Sequence, residues 1–306
     1  MMSERIRVGT RSSQLATWQA THVQSLLQHH HFEAELTYIK SEGDIDLKTP
    51  LYEMGVQGIF TRTLDAALLN SRIDIAVHSM KDVPTRLPEG IVQAAVLPRA
   101  SFLDILVQRE TIPLELLKTM PALIATSSTR RKAQWLHRFP HHTIDNLRGN
   151  VNSRLQKLAD SQWQGAIFAA AGLDRIGLRP EAAISLDWML PAPAQGAIVV
   201  VCREGDAAML DACRPLNHAA TALCTAIEKD FLRTLRGGCT APIGALAEIK
   251  EDIVYFKGNL LSPDGREIME IERSAPIAEA AGLGNLCGQA ILEGGALRII
   301  DQLHKI

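Results

Sequence analysis

From Arg5 to Val8 polar and apolar residues alternate as they do along a strand, and from Leu15 to His30 the apolar residues Ala16, Ala20, Val23 and Leu27 return to one helical face. The short loop GTRSS joins the two. The pattern then predicts a strand at Leu36–Ile39, a loop containing SEGDIDLKTP, a helix from Phe60 to Asn70 and an apolar strand, IDIAVHSM, over residues 73–80. A second set follows LPRASF. It begins with a strand at Asp104–Gln108, a helix near Pro113–Met120 and the strand LIATSS at 123–128. It continues with the helix TRRKAQWLHRF, a strand at Thr143–Leu147, a helix whose Val151, Leu155 and Leu158 line one face, and the strand GAIFAAAGL. Such alternation predicts parallel sheets covered by helices, joined by right-handed crossovers. Two tandem α/β units of this kind predict two doubly wound lobes with a cleft between them.

Beyond Pro191 the texture changes. AIVVVCRE at 197–204 reads as a buried strand, and HAATALCTAIEKDFLRTLRGG as a long amphipathic helix with Leu223, Ile227 and Phe231 at four-residue steps, ended by Gly237. Strands at Ile243–Ile249 and Ile253–Leu261, a third at Glu267–Glu272 across the turn SPDG, and a helical tail make a smaller α+β domain.

Composition narrows the classes. The chain has 306 residues, 46% hydrophobic and 22% charged, as expected of a globular protein with two or three cores. No stretch has the ~20 apolar residues a bilayer span needs, and no apolar run follows the basic residues of MMSERIRVGTRSSQ, so the expectation is a cytoplasmic protein without membrane association. Cys202, Cys213, Cys224, Cys239 and Cys287 are odd in number, widely spaced and lack any C-x-x-C, which argues against zinc ribbons and a disulfide framework. Adjacent histidines at 29–31 and 141–142 point in different directions and have no carboxylate or cysteine at ligand spacing, so no metal is expected. A net charge of −2 argues against a nucleic-acid binder, yet nine cationic residues lie between Arg130 and Arg179.

One strand end and three strand-to-helix junctions carry the candidate chemistry. HSMKDVP at 78–84 places Lys81 and Asp82 at the carboxyl end of an apolar strand, where open α/β sheets bind ligands; a surface ion pair in a turn is the bland alternative. ATSSTRRK at 125–132 runs into a helix opening with two arginines, and LRGNVNSRL at 147–155 repeats the arrangement with Arg148 and Arg154. Free amides at a helix start together with guanidiniums favour a phosphate or a carboxylate. GTRSS is a third such junction. With no Walker lysine motif, G-x-G-x-x-G or G-x-S-x-G, what remains is a carboxylate-rich ligand held by several arginines. LRGGCTAP at 235–242 puts Cys239 in a glycine-flexible loop near Arg236. It reads as a nucleophile or covalent attachment point, or as a buried structural thiol.

These motifs, in order TRSSQLATWQA, AVHSMKDVP, ATSSTRRKAQ, LRGNVNSRLQKL, AAAGLDRIGL, AQGAI, LNHAATAL and LRGGCTAPIGA, resemble the hydroxymethylbilane synthase (porphobilinogen deaminase) family over nearly the whole chain. The resemblance implies two lobes similar to type II periplasmic binding proteins and a C-terminal α+β domain. Lobe 1 is expected at 1–98 with 198–216, lobe 2 at 103–192 and the third domain at 219–306. It also implies a monomeric transferase that condenses porphobilinogen head to tail, with loss of ammonia, into a linear tetrapyrrole. The primer would be a dipyrromethane cofactor joined by a thioether to Cys239. Asp82 is then the catalytic carboxylate, and Ser79, Lys81, Asp82, Thr126, Ser127, Arg130 and Arg131 hold the cofactor. Arg11, Ser13, Arg148, Arg154, Arg175 and Gln195 bind substrate carboxylates.

The family usually shows T-R-G-D where this chain has Ser41-Glu42-Gly43-Asp44, and lysines are common where it has Glu53 and Gln57; Arg62 matches a basic position and Lys48 offers partial compensation. A weaker paralogue is one alternative. A two-lobed receptor for an anionic small molecule, with no need of Cys239, is another.

Overall fold

The computed structural model of the chain describes residues 5–40, 61–238 and 241–303. Ser41, Glu42, Gly43, Asp44, Lys48, Glu53, Gln57 and Cys239 therefore lie outside the described residues. The chain opens with β1 (Ile6–Thr10), α1 (Gln14–His29), β2 (Ala34–Tyr38), α2 (Arg62–Leu69), β3 (Ile75–Ser79) and β4 (Ile91–Val96). It continues through β5 (Asp104–Gln108), α3 (Leu114–Leu117), β6 (Leu123–Ala125), α4 (Thr129–Arg138) and β7 (Thr143–Asp145). Then come α5 (Val151–Asp160), β8 (Gly165–Ala169), α6 (Ala170–Arg175), β9 (Ile184–Ser185), β10 (Ile198–Arg203) and α7 (Ala207–Cys213). The last elements are α8 (Ala219–Thr234), β11 (Ile243–Lys250), β12 (Ile253–Leu261), β13 (Ile268–Pro276), α9 (Leu283–Ile291) and α10 (Leu297–Leu303).

The described residues divide into two compact units, one built from 5–40, 61–100 and 196–223, the other from 101–195, 224–238 and 241–303. In the first, five strands run in the order β2-β1-β3-β10-β4. β3 and β10 are central and buried on both faces, which is why they open with the unbroken apolar runs IAV and IVVVC rather than alternating. The apolar stripe of α1 (Ala20, Val23, Leu27) closes over Val8, Ile75 and Val200 to form the core.

In the second unit five strands run β7-β6-β8-β5-β9, and β11-β12-β13 make a separate antiparallel meander. Two clusters fill the faces of the five-stranded sheet, one around Ile105, Phe168 and Leu173, the other around Trp135, Phe139 and Met189.

Both five-stranded sheets are mixed, which corrects the expectation of parallel sheets. β10 runs antiparallel to β3 and β4, and β5 antiparallel to β8 and β9. The strand expected at 123–128 ends at Ala125: the Thr126 amide makes a last ladder bond to the Asp145 carbonyl of β7, and Ser128 then becomes the cap of α4. The helix expected at 113–120 shrinks to Leu114–Leu117, and the third strand of the meander runs on to Pro276.

Candidate active site

In the first unit the site grows from the carboxyl end of β3. Past Ser79 the chain enters a 3₁₀ turn, Met80–Asp82, whose first amide donates to the Ala197 carbonyl at 3.0 Å, and Val83 and Pro84 leave it extended. The turn brings the Asp82 carboxylate to the rim of the sheet, half-buried. Opposite it α1 begins at Ser13, whose hydroxyl caps the Ala16 amide. Gln19, buried one turn further on, donates from Nε2 to Ser79 Oγ at 2.8 Å and locks helix to strand. Arg11, Ser13, Gln19, His78, Ser79 and Asp82 line one cavity of about 60 Å³. Lys81 shares the turn and is half-buried, but it is not among the cavity's lining residues.

In the second unit the arginines of α4 surround one carboxylate. Asp104, at the start of β5, is fully buried. Its Oδ1 accepts from Arg131 Nε at 3.0 Å and Nη2 at 2.8 Å, and its Oδ2 from Arg130 Nη1 at 2.7 Å. Arg131 Nη1 donates to the Ile167 carbonyl at 2.9 Å and Arg130 Nη1 also to the Leu190 carbonyl at 2.7 Å. Burial alone would raise the Asp104 pKa, but the two guanidiniums hold it far below the usual carboxylate range. Two buried cations against one anion leave an excess positive charge, and Arg130 Nε is buried with no hydrogen-bond partner. Gln195, fully buried, donates from Nε2 to Asp104 Oδ1 at 2.9 Å and to the Phe102 carbonyl at 2.8 Å.

The other second-unit residues stand past the ends of β6 and β7 and in the helices α5 and α6. Thr126 Oγ1 accepts the Ser128 amide at 3.2 Å, and Ser127 Oγ donates to the Leu147 carbonyl. Arg148 is buried just before α5, which Asn150 caps, and Arg154 Nε donates to the Gly149 carbonyl at 2.7 Å. Arg175 ends α6; burial brings its pKa down to about 10, which leaves it cationic at neutral pH.

The structure thus gathers Arg11, Ser13, Ser79 and Asp82 about one cavity, and Arg130, Arg131 and Gln195 about Asp104. The pattern of the sequence did not single out Asp104, Glu228, Gln19 or His78. One signal was present: Glu228 lies on the same stripe as Cys224, Ile227 and Phe231, where a solvated carboxylate does not belong. The four described cysteines are all buried, with burial pushing Cys213 up to about 12 and Cys287 to about 11, so as thiols they are unreactive. Among the described residues no group of His, Cys, Asp or Glu is arranged to hold a metal, and no helix is long and apolar enough to cross a membrane.

Residues 6–211 match a family model described as "Porphobilinogen deaminase, dipyromethane cofactor binding domain", and residues 222–293 match its companion, "Porphobilinogen deaminase, C-terminal domain". A porphobilinogen deaminase of Syntrophotalea carbinolica is 40% identical over 99% of this chain and 97% of its own length. Among solved structures, the VFT2 domain of Bordetella pertussis BvgS aligns with a TM-score of 0.41 at 12% identity, covering 71% of this chain and 90% of that one. The amino-acid transporter binding protein ytmK of Bacillus subtilis aligns with a TM-score of 0.41 at 15% identity, covering 70% and 90%.

Proposed function

The chain belongs to the porphobilinogen deaminase family, and from that premise we propose that it condenses porphobilinogen units into hydroxymethylbilane on a dipyrromethane primer held by Cys239. It is a transferase of tetrapyrrole synthesis, which we place in the cytoplasm as a monomer. The lobes are assigned to 1–98 with 198–216 and to 103–192, and the primer-bearing domain to 219–306.

The observation that carries the reading, beyond the family match, is the cavity that sets Asp82 beside Arg11, Ser13 and Ser79. Each deamination generates a cation at the substrate methylene, and a carboxylate fixed at a sheet edge stabilises that charge where it develops. Arg11 and the hydroxyls of Ser13 and Ser79 suit a carboxylate arm that orients the ring against Asp82. Lys81 and Asp82, on one turn, share the task of binding the anionic arms and the pyrrole N–H groups.

The donor set of the second unit fits a polyanionic dipyrromethane. Arg130 and Arg131 carry one charge more than Asp104 neutralises, and the buried Nε of Arg130 still has a bond to give. Arg130, Arg131, Thr126 and Ser127 would hold the primer, while Arg148, Arg154 and Arg175 would take the carboxylates of added rings; Gln195, fully buried with both Nε2 hydrogens engaged, would act on them only through Asp104. When bound, the primer supplies the nucleophilic terminal pyrrole carbon.

Intact-mass measurement of protein made with ample porphobilinogen tests this directly: the mass should exceed that of the sequence by one dipyrromethane. The protein should then consume porphobilinogen and yield uroporphyrin after ring closure and oxidation. Asp82→Ala should cut turnover by ~10²-fold or more while the primer mass persists. An unmodified mass without porphobilinogen consumption rejects the reading in favour of a receptor.

A further inference from the structure

Glu228 is a fully buried carboxylate in the middle of the apolar stripe of α8. Its Oε2 accepts the Ala194 amide at 2.6 Å and its Oε1 the Ala247 amide at 2.7 Å, so one side chain ties α8 to β11 and to the segment that precedes β10. A leucine would fill the stripe without the cost of desolvating a charge, but both amides would then be buried without an acceptor. Ala194 sits at φ +63°, a left-handed conformation uncommon for a residue with a Cβ, and the bond from Glu228 holds it there.

The consequence falls on the next residue. Gln195 gives Asp104 Oδ1 its third hydrogen bond, beside the two from Arg131. The far end of the same segment is fixed as firmly: the Leu190 carbonyl accepts from Arg130 Nη1 and from Gln134 Nε2 at 2.9 Å, and the Pro191 carbonyl accepts the Ala245 amide at 3.0 Å. Residues 190–195 therefore form a strap held by α4 on one side and by α8 and β11 on the other.

We propose that Glu228 is a positioning residue for the reaction: through Ala194, Gln195 and Asp104 it sets the orientation in which Arg130 and Arg131 meet a carboxylate. This rests on the transferase reading. It makes arginine geometry depend on α8, the helix that precedes Cys239 in the sequence, so that anchoring a primer and gripping its carboxylates are not independent events.

Glu228→Gln is nearly isosteric and sets an amide N–H₂ against one of the two backbone donors. The variant should fold, carry the primer in a smaller fraction of molecules, and show in its loaded fraction a KM for porphobilinogen raised about tenfold with kcat held within about twofold. Gln195→Ala should reproduce the split, and the double variant should be no worse than either single one, because both interrupt a single chain of contacts. Ile227→Val, a core change on the same helix, should lower stability and leave KM alone. The Nε–Hε resonances of Arg130 and Arg131 should shift in Glu228→Gln even in protein without primer.

Unshifted arginine resonances, or additive KM effects in the double variant, overturn the proposal. If wild-type protein loads primer and turns over while Glu228→Gln matches it in KM and loading, the positioning role fails and the transferase reading stands. If wild-type protein neither loads nor turns over, the transferase reading fails, and the positioning role for that reaction with it. Should Glu228→Gln not fold, Gln195→Ala carries the same KM and resonance criteria.

Discussion

At the scale of single residues, the charge balance around Asp104 governs the second unit. One buried carboxylate answers two buried guanidiniums, so replacing it by a neutral amide strands both cations. Asp104→Asn should cost about 3 to 5 kcal/mol, measured by urea unfolding at pH 7. The pH dependence has a definite sign. The folded-state pKa of Asp104 is depressed, so its contribution is fully present above the unfolded carboxylate range, near pH ~4, and is lost as pH falls below it toward the folded value. The stability difference between wild type and Asp104→Asn should stay level from pH 7 to about 5 and shrink only under stronger acid; a difference that vanished by about pH 5 would show that Asp104 is not held ionised by these arginines. Legibility differs sharply between residues. Asp82, Arg11 and Ser79 stand at strand-to-helix junctions within local motifs, where a short stretch of chain suffices to suggest a ligand. Asp104 and Glu228 sit in DILVQ and CTAIEKDFL, where neither belongs to a local motif, and their burial is decided by partners up to about ninety residues away in sequence, as with Gln195.

At the scale of elements, α4 carries the buried Arg130 and Arg131, and the meander packs against it. The turn between β12 and β13 rests on the helix: His137 Nδ1 donates to the Gly265 carbonyl at 2.8 Å. A Cβ on Gly265 would come within 2.4 Å of the Ala133 carbonyl oxygen and 2.7 Å of the His137 amide, both backbone atoms of α4, and the residue lies at φ +73°. Neither helix backbone nor turn can yield without losing its own hydrogen bonds. Gly265→Ala should therefore cost about 2 kcal/mol or more, read by thermal or urea unfolding. A loss under about 0.5 kcal/mol, the range of an ordinary surface change, would mean that the turn does not bear on the helix. The glycine of SPDG was legible as a turn residue; its contact with α4 was not, because turn chemistry is local and the approach of a helix is not. The same division runs through the fold. Apolar periodicity located α1, α5, β3, β5, β10 and β12 because it reports which face is covered. It carries no sign of strand direction, so the antiparallel placement of β5 and β10 had to come from the hydrogen-bond ladders. Strands as short as β7 and β9, three and two residues, are too brief to show a period at all.

At the scale of the whole molecule, a net charge of −2 conceals a strong internal asymmetry. Between Arg130 and Arg179 nine cations face only Asp145, Asp160 and Asp174. The proposed substrate brings two carboxylates per ring, so this stretch has an electrostatic partner, and each added ring asks for more positive charge than the last. Against that demand the chain places Glu42 and Glu53, outside the described residues, where the resemblance leads one to look for cations. A carboxylate repels a polyanionic substrate, and a solvated one does so over a distance set by the Debye length, about 10 Å at 0.1 M salt. Its effect therefore belongs to capture rather than to the chemical step. Replacing Glu42 by Arg and Glu53 by Lys together should raise kcat/KM for porphobilinogen about three- to tenfold at low ionic strength, with kcat unchanged, and the advantage should fade as salt rises toward about 1 M. Plots of kcat/KM against salt for wild type and double variant would then converge. Parallel plots, or a change confined to kcat, would place the two glutamates in chain growth instead of in substrate capture, and would mean that the excess of arginine already saturates the attraction.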